Sequence, residues 1–211
     1  MSPRWARAWF GATAVCVVAG VVISVVNAAN SSVGHFHPAA ARAANTFAFF
    51  TIDSNLLVGV AVLLLAIRGG RDSQAFAVLR LTGLVAITVT GIVFHAVLSQ
   101  TLNLAGWEAL GNELVHTVVP IMAVVGWLLA GPRGRISKRV VWLSLIFPIG
   151  WLAFTLIRGA IAHWYPYPFI DVTKLGYARA AVNCVWVAVL LLGLSAGARV
   201  LDTRLGRSAG Q

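Results

Sequence analysis

The stretch Phe49-Phe50-Thr51-Ile52-Asp53-Ser54-Asn55-Leu56-Leu57, continued by VGVAVLLLAI to residue 67, joins four polar side chains to a long apolar run. A helix rises about 1.5 Å per residue, so roughly 20 apolar residues cross a hydrocarbon core of about 30 Å. A carboxylate near the centre of such a helix costs about 2.5 to 3.5 kcal/mol on insertion scales. Asp53 and its neighbours are therefore expected to face protein, a water pocket or a partner instead of lipid. The motif marks a polar site inside a membrane protein.

Composition extends this reading to the whole chain. Of 211 residues, 59% are hydrophobic and 10% charged, with a mean hydropathy of +0.86; a soluble domain carries roughly a quarter charged residues. Six apolar segments stand out, at about 9–29, 46–67, 76–98, 113–131, 140–162 and 177–200, each near the length of a membrane span. The expected fold is all-α, a polytopic bundle of six transmembrane helices forming one domain over residues 1–211. The connections are too short for a second domain, and the two halves show no convincing repeat.

The net charge of +10 does not point to nucleic acid, because the basic residues fall in short turns and at the termini without interleaved aromatics. It sets topology and attraction to anionic lipid instead. Arg4 and Arg7 precede the first helix, and Arg68, Arg71 and Arg80 flank the turn after the second. Arg133, Arg135, Lys138 and Arg139 crowd the turn after the fourth, and Arg199, Arg204 and Arg207 finish the chain. The alternate loops carry Arg42, then Glu108 and Glu113, then Arg158, Asp171 and Lys174. The positive-inside rule then puts both termini in the cytoplasm. Met1 to Val26 also has the layout of a secretion signal with a cut near Val26-Asn27-Ala28, but its apolar run exceeds the usual h-region of about 7 to 15 residues, so a retained helix is expected. Abundant Ala, Gly, Val and Arg suggest a bacterial source and hence a cell membrane. Cys16 and Cys184 lie within apolar runs and read as packing residues.

With this topology Thr51, His95 and His116 lie at similar depth in the outer half of helices two, three and four. Arg158, His163, Arg179 and Asn183 join them from helices five and six, with Asp171 in the intervening loop. Thr51 and Asn55 share a helix face, whereas Asp53 projects about 200° away and is expected to pair with an arginine as a structural ion pair. Asn112 and Glu113 precede His116 by four and three positions, close enough to reach its imidazole, and Glu113 is a candidate to orient that ring.

Three chemistries fit these residues. A threonine hydroxyl needs a base such as neutral histidine to become a nucleophile, which makes Thr51 and His116 a catalytic pair, with Asn55, Asn112 or Arg179 as oxyanion donor. Against this, membrane-helix threonines commonly bond the carbonyl four residues back, and histidines often bond between helices. A transport or lipid-binding protein holding a polar headgroup in the same cluster is the second reading. Haem ligation by His95 and His116 is the third, and it requires facing rings. Arg158 and Arg179 suit a substrate carboxylate, or headgroups, or pairing with Asp53 or Asp171. The loop histidines His35 and His37 read as solvated, so neither metal nor cofactor is expected. Gly193 and Gly197 form a GxxxG expected at a close helix contact, and Pro120, one turn beyond His116, is expected to free a carbonyl near the site.

Three segments stand out in order: Phe49-Phe50-Thr51-Ile52, then Asn112-Glu113-Leu114-Val115-His116-Thr117 followed by Pro120, then Tyr167-Pro168-Phe169-Ile170-Asp171. Together they resemble a known family, the androgen-induced multipass membrane proteins, threonine hydrolases of fatty acid esters of hydroxy fatty acids, and especially their small bacterial relatives. The order and helix placement of the segments agree from about residue 45 to 185. The resemblance implies that Thr51 and His116 are the catalytic pair of a lipid or fatty-acid ester hydrolase with membrane lipids as its surroundings. The histidine-to-proline spacing is one residue shorter than in animal relatives, and Ser54-Asn55 follows the bacterial pattern, which leaves the substrate open.

Overall fold

The computed structural model describes residues 4–32, 34–68 and 73–208; Arg71 lies outside them. Among the described residues six helices are long and apolar enough to cross a membrane: α1 Arg4–Asn30, α2 Phe50–Arg68, α3 Gln74–Leu98, α4 Gly106–Ala130, α5 Lys138–Ala162 and α6 Val172–Gly206. A short helix, Ala39–Asn45, precedes α2. The protein is a multi-pass membrane protein. Its outward side chains agree with a lipid surround, since Ile149, Ile157, Ile161 and Trp186 are exposed along α5 and α6.

Helices α1 to α4 form the packed centre, with α1 against α2 and α4, and α2 against α3. Small residues let the backbones approach, the usual device where lipid removes the hydrophobic drive for association. At Gly83 of α3 an added Cβ would lie 3.1 Å from Val58 N and 3.2 Å from Leu57 C of α2. At Gly20 of α1 it would lie 2.7 Å from Val115 Cγ1 of α4. Ser54 of α2 and Thr90 of α3 share a buried hydroxyl hydrogen bond of 3.0 Å. Gly193 and Gly197 face open space instead of another helix, so the expected GxxxG contact is absent; α6 touches α3 elsewhere.

The end carrying both termini is basic, and its arginines cap helices. Arg7 donates to the carbonyls of Ala66 and Ile67 at the end of α2, and Arg80 and Arg133 donate to Pro132 O and Leu128 O. Helix C-termini carry unsatisfied carbonyls and partial negative charge, so guanidinium groups belong there. Asp202 of α6, 1% exposed, accepts from the N–H groups of Arg135 and Ile136 and ties the chain's last helix to that turn.

Local breaks position the opposite end. The apolar run at 46–67 does not form one helix, because residues Thr46–Ala48 tighten into a 3₁₀ turn and Phe49 is extended (φ −85°, ψ 129°). Helix α2 therefore starts at Phe50, and Thr51 lies in its first turn instead of about five residues deep. First-turn N–H groups have no acceptor within the helix. In α4, residues Leu114–Val118 form a π-helical turn directly before Pro120, which has no N–H for the carbonyl of His116 and a ring that crowds it. Wide π turns of this kind recur at functional sites.

Candidate active site

These breaks bring Thr51 and His116 together. Thr51, 6% exposed, places Oγ1 3.3 Å from His116 Nε2. The other ring nitrogen, Nδ1, lies 3.1 Å from the carbonyl oxygen of Asn112, one turn earlier in α4. A carbonyl only accepts, so Nδ1 carries the proton and Nε2 presents a lone pair to the threonine hydroxyl. The ring is clamped from the side by Phe94 of α3, stacked at 4.0 Å between centroids and 19° between planes.

A third group completes the centre. Tyr167, 9% exposed, sits between α5 and α6, and its hydroxyl lies 3.1 Å from Thr51 Oγ1. The same phenolic oxygen accepts the N–H of Thr51 at 3.1 Å, so it satisfies a first-turn donor that the helix cannot. With its oxygen accepting from the backbone and Thr51 donating to Nε2, the phenolic proton is directed at Thr51 Oγ1. Burial pushes the Tyr167 phenol up to about 12, although its bonds with Thr51 pull the other way, so the hydroxyl stays a donor at neutral pH. Tyr167 is wedged between Phe169, stacked at 5.3 Å, and the edge of Phe49 at 5.7 Å. Trp151 of α5 approaches it at 5.9 Å and donates to Ala48 O at 3.2 Å, which fixes the turn before α2.

The other expected site residues divide. Asn55, fully buried, donates through Nδ2 to Thr51 O at 2.8 Å and to Val115 O at 3.1 Å. One amide hydrogen is used inside α2 and the other holds α2 on the π turn, so both are committed and Asn55 is not an oxyanion donor. Asn112 contributes its backbone carbonyl to the ring. Glu113 is exposed and makes no hydrogen bond to the imidazole, because the widened turn points Nδ1 at the backbone instead. His95 faces outward and bonds Thr117 Oγ1 at 3.1 Å. Phe94 covers the face of His116, and both His116 nitrogens are engaged, so the facing rings that haem ligation needs are not formed.

Arg158 donates to Asn45 Oδ1 at 2.8 Å and lies over the rings of Phe36 and Trp164, at 4.9 and 5.3 Å. Arg179 is exposed on α6, away from the dyad's cavities. Asn183 donates to Phe169 O at 2.8 Å and braces the turn that carries Tyr167. Asp171 caps α6: it accepts from Thr173 N at 3.1 Å and Thr173 Oγ1 at 2.5 Å, and pairs with Lys174 at 3.6 Å. Its pairing is local, with neither Arg158 nor Arg179. Asp53 is half-buried, and among the described residues it has no arginine partner; of the arginines at its end of the bundle, Arg42 donates to the carbonyls of Ala28 and Ala29 and Arg158 to Asn45 Oδ1. It lines neither cavity at the dyad, in keeping with its projection away from Thr51. Among the described residues no group of three or more His, Cys, Asp or Glu side chains is arranged to hold a metal.

Two cavities meet at the dyad. One, of about 240 Å³, runs between α3, α5 and α6 and is almost wholly apolar. The other, of about 560 Å³, opens among the loops and carries Ser31, Asn45, Glu108 and Asn112 on its wall. Thr51, Phe94, Leu98, His116 and Tyr167 line both. Comparison of the chain with protein families, with curated proteins and with solved structures finds no match.

Proposed function

We propose that the protein is a membrane-embedded hydrolase of lipid or fatty-acid esters, with Thr51 as nucleophile and His116 as its base. The observation that carries this reading is the Thr51 Oγ1 to His116 Nε2 approach of 3.3 Å, with the opposite ring nitrogen tied to Asn112 O. A nucleophile, a base and a group that orients the base are the parts that acyl transfer through a hydroxyl requires.

Thr51 Oγ1 attacks the ester carbonyl carbon as its proton passes to Nε2. The tetrahedral oxyanion is stabilised by the Tyr167 hydroxyl, which the Thr51 N–H polarises from behind. Collapse breaks the bond to the alcohol oxygen, which takes the proton from Nε2 and leaves an acyl-threonine. Water then attacks that carbonyl and gives its proton to Nε2. The second collapse releases the carboxylic acid and returns the proton to Thr51 Oγ1. Asn112 holds the imidazole tautomer throughout.

The distribution of basic residues supports an orientation with both termini in the cytoplasm and the dyad in the outer-leaflet half, and the abundance of Ala, Gly, Val and Arg supports a bacterial cell membrane. Membrane lipids are then the protein's surroundings and the source of its substrate. The test is labelling of the purified protein by a fluorophosphonate, together with turnover of a panel of lipid esters. Labelling and turnover that vanish in Thr51→Ala and fall at least about a hundredfold in His116→Gln are expected. A wild-type protein that neither labels nor turns over any ester removes the reading.

A further inference from the structure

The two cavities differ in ways that assign the halves of a substrate. This assignment rests on the hydrolase reading. Because both cavities share Thr51, His116 and Tyr167, a bond under attack lies at their junction, and its two sides extend into different surroundings. The cavity between α3, α5 and α6 offers almost no polar surface. A polar alcohol placed there would lose its hydrogen bonds to water without replacement. The loop cavity has amide and hydroxyl groups on its wall, which can replace the hydrogen bonds that a polar alcohol gives up on leaving water.

The backbone arrangement supplies an entry for an acyl chain. The first turns of α5 approach α6, but from Ile146 to Ala162 the two helices make almost no close contact. The apolar cavity lies in the resulting gap, walled by Trp151 and Leu152 on one side and Val187 and Leu192 on the other. A gap between two lipid-facing helices is open to the bilayer sideways. Along α6 the wall runs from Cys184 to Leu192, eight steps or about 12 Å at the helical rise. An extended chain covers about 1.2 Å per bond, so the wall matches roughly ten carbons. The floor, at Leu145, Pro148 and Leu191, separates it from a void of about 10 Å³, room for no more than one water.

We propose that the apolar cavity is the acyl site, taking a medium-length acyl chain of roughly ten carbons that enters between α5 and α6, while the loop cavity holds the polar alcohol that leaves first. The substrate class is an ester of a medium-chain fatty acid with a hydrophilic alcohol.

The experiment compares glycerol monoesters of graded acyl length, from acetyl to hexadecanoyl, with the full-length protein in lipid nanodiscs. The wild type is expected to favour decanoyl over acetyl esters by at least about tenfold in kcat/KM, since each methylene buried from water is worth about 0.8 kcal/mol. Val187→Phe and Leu192→Trp fill the cavity from α6 without touching the dyad. Each is expected to lower the decanoyl to acetyl ratio at least about fivefold with acetyl turnover retained; Leu192 faces lipid in part, so Leu192→Trp keeps the test open if Val187→Phe does not fold. A ratio unchanged in a filler variant that keeps its acetyl turnover overturns the assignment. So does a filler variant that responds to the size of the alcohol instead of the acyl chain. Both outcomes leave the hydrolase reading standing, whereas absence of turnover and of fluorophosphonate labelling in the wild type removes both.

Discussion

Replacing Tyr167 by phenylalanine separates the chemistry of the site from its packing. The ring stays between Phe169 and Phe49, and only the hydroxyl is lost. Two bonds go with it: the one to Thr51 Oγ1 and the one accepted from the Thr51 N–H, both at 3.1 Å. The second loss leaves a buried donor in the first turn of α2 without an acceptor, which costs about 1 to 3 kcal/mol. The first removes the donor assigned to the oxyanion, and deletion of such a donor lowers kcat by about 10² to 10³. The expected result is a kcat at least about a hundredfold lower with KM nearly unchanged, and a thermal midpoint lower by a few degrees. Stopped turnover of a decanoyl ester and a thermal unfolding scan in the same detergent measure the two effects. A kcat within about threefold of wild type refutes the oxyanion role assigned to the hydroxyl.

The same residue gives an alkaline signature. Burial holds its phenol at about 12, above the ordinary 10.0, so between these values the folded chain keeps a proton that the unfolded chain has lost. The associated stability is complete below pH 10 and is lost as pH rises through about 12; the thermal midpoint of wild type is expected to fall more steeply there than that of Tyr167→Phe. Asn55→Leu removes the amide bond that joins α2 to the π turn at Val115 O, together with one inside α2 to Thr51 O; Thr51 O still accepts from Ser54 Oγ, and the unpaired Val115 O carries an expected loss of about 1 to 3 kcal/mol in chemical denaturation and of most turnover. Gly20→Leu drives a side chain into Val115 and Leu114 beside His116, and a displacement near 1 Å is expected to lower kcat/KM by about a hundredfold with the protein still folded by circular dichroism. At Asp171 burial raises the carboxyl, but the bonds from Thr173 and the charge of Lys174 outweigh it and hold it below the ordinary 3.8. Its contribution is present above that value and lost as pH falls through the lowered one, so Asp171→Ala, which costs about 1 kcal/mol of helix capping, is expected to abolish that acid-side loss in an unfolding series.

How far the residues announced this arrangement differs from one to the next. The six spans were legible because hydrophobic length alone selects them, and each agrees with its expected segment to within several residues. Similar depth made Thr51 and His116 candidates for one site and the resemblance named the same two residues, but it is the structure that brings Oγ1 and Nε2 to 3.3 Å. Tyr167 was visible only as part of a motif, since no spacing rule links a loop residue to a hydroxyl 116 positions earlier. Glu113 looked like the natural partner of the imidazole at three residues' spacing, yet a π turn re-aims the ring at a backbone carbonyl. Asp53 invited an arginine partner, but Arg42 and Arg158, at its end of the bundle, are spent on Ala28 O, Ala29 O and Asn45 Oδ1.

What the sequence determined by itself is the class of molecule and the segments that cross the membrane, because burial of apolar length in lipid is a property of each segment alone. Which polar atoms meet is settled by packing between the helices. The extended Phe49, packed against Trp164 and Tyr167, and the gap between α5 and α6 depend on neighbours far away in the chain. Hydrogen-bond geometry is set to a few tenths of an ångström, a precision that helical periodicity cannot supply.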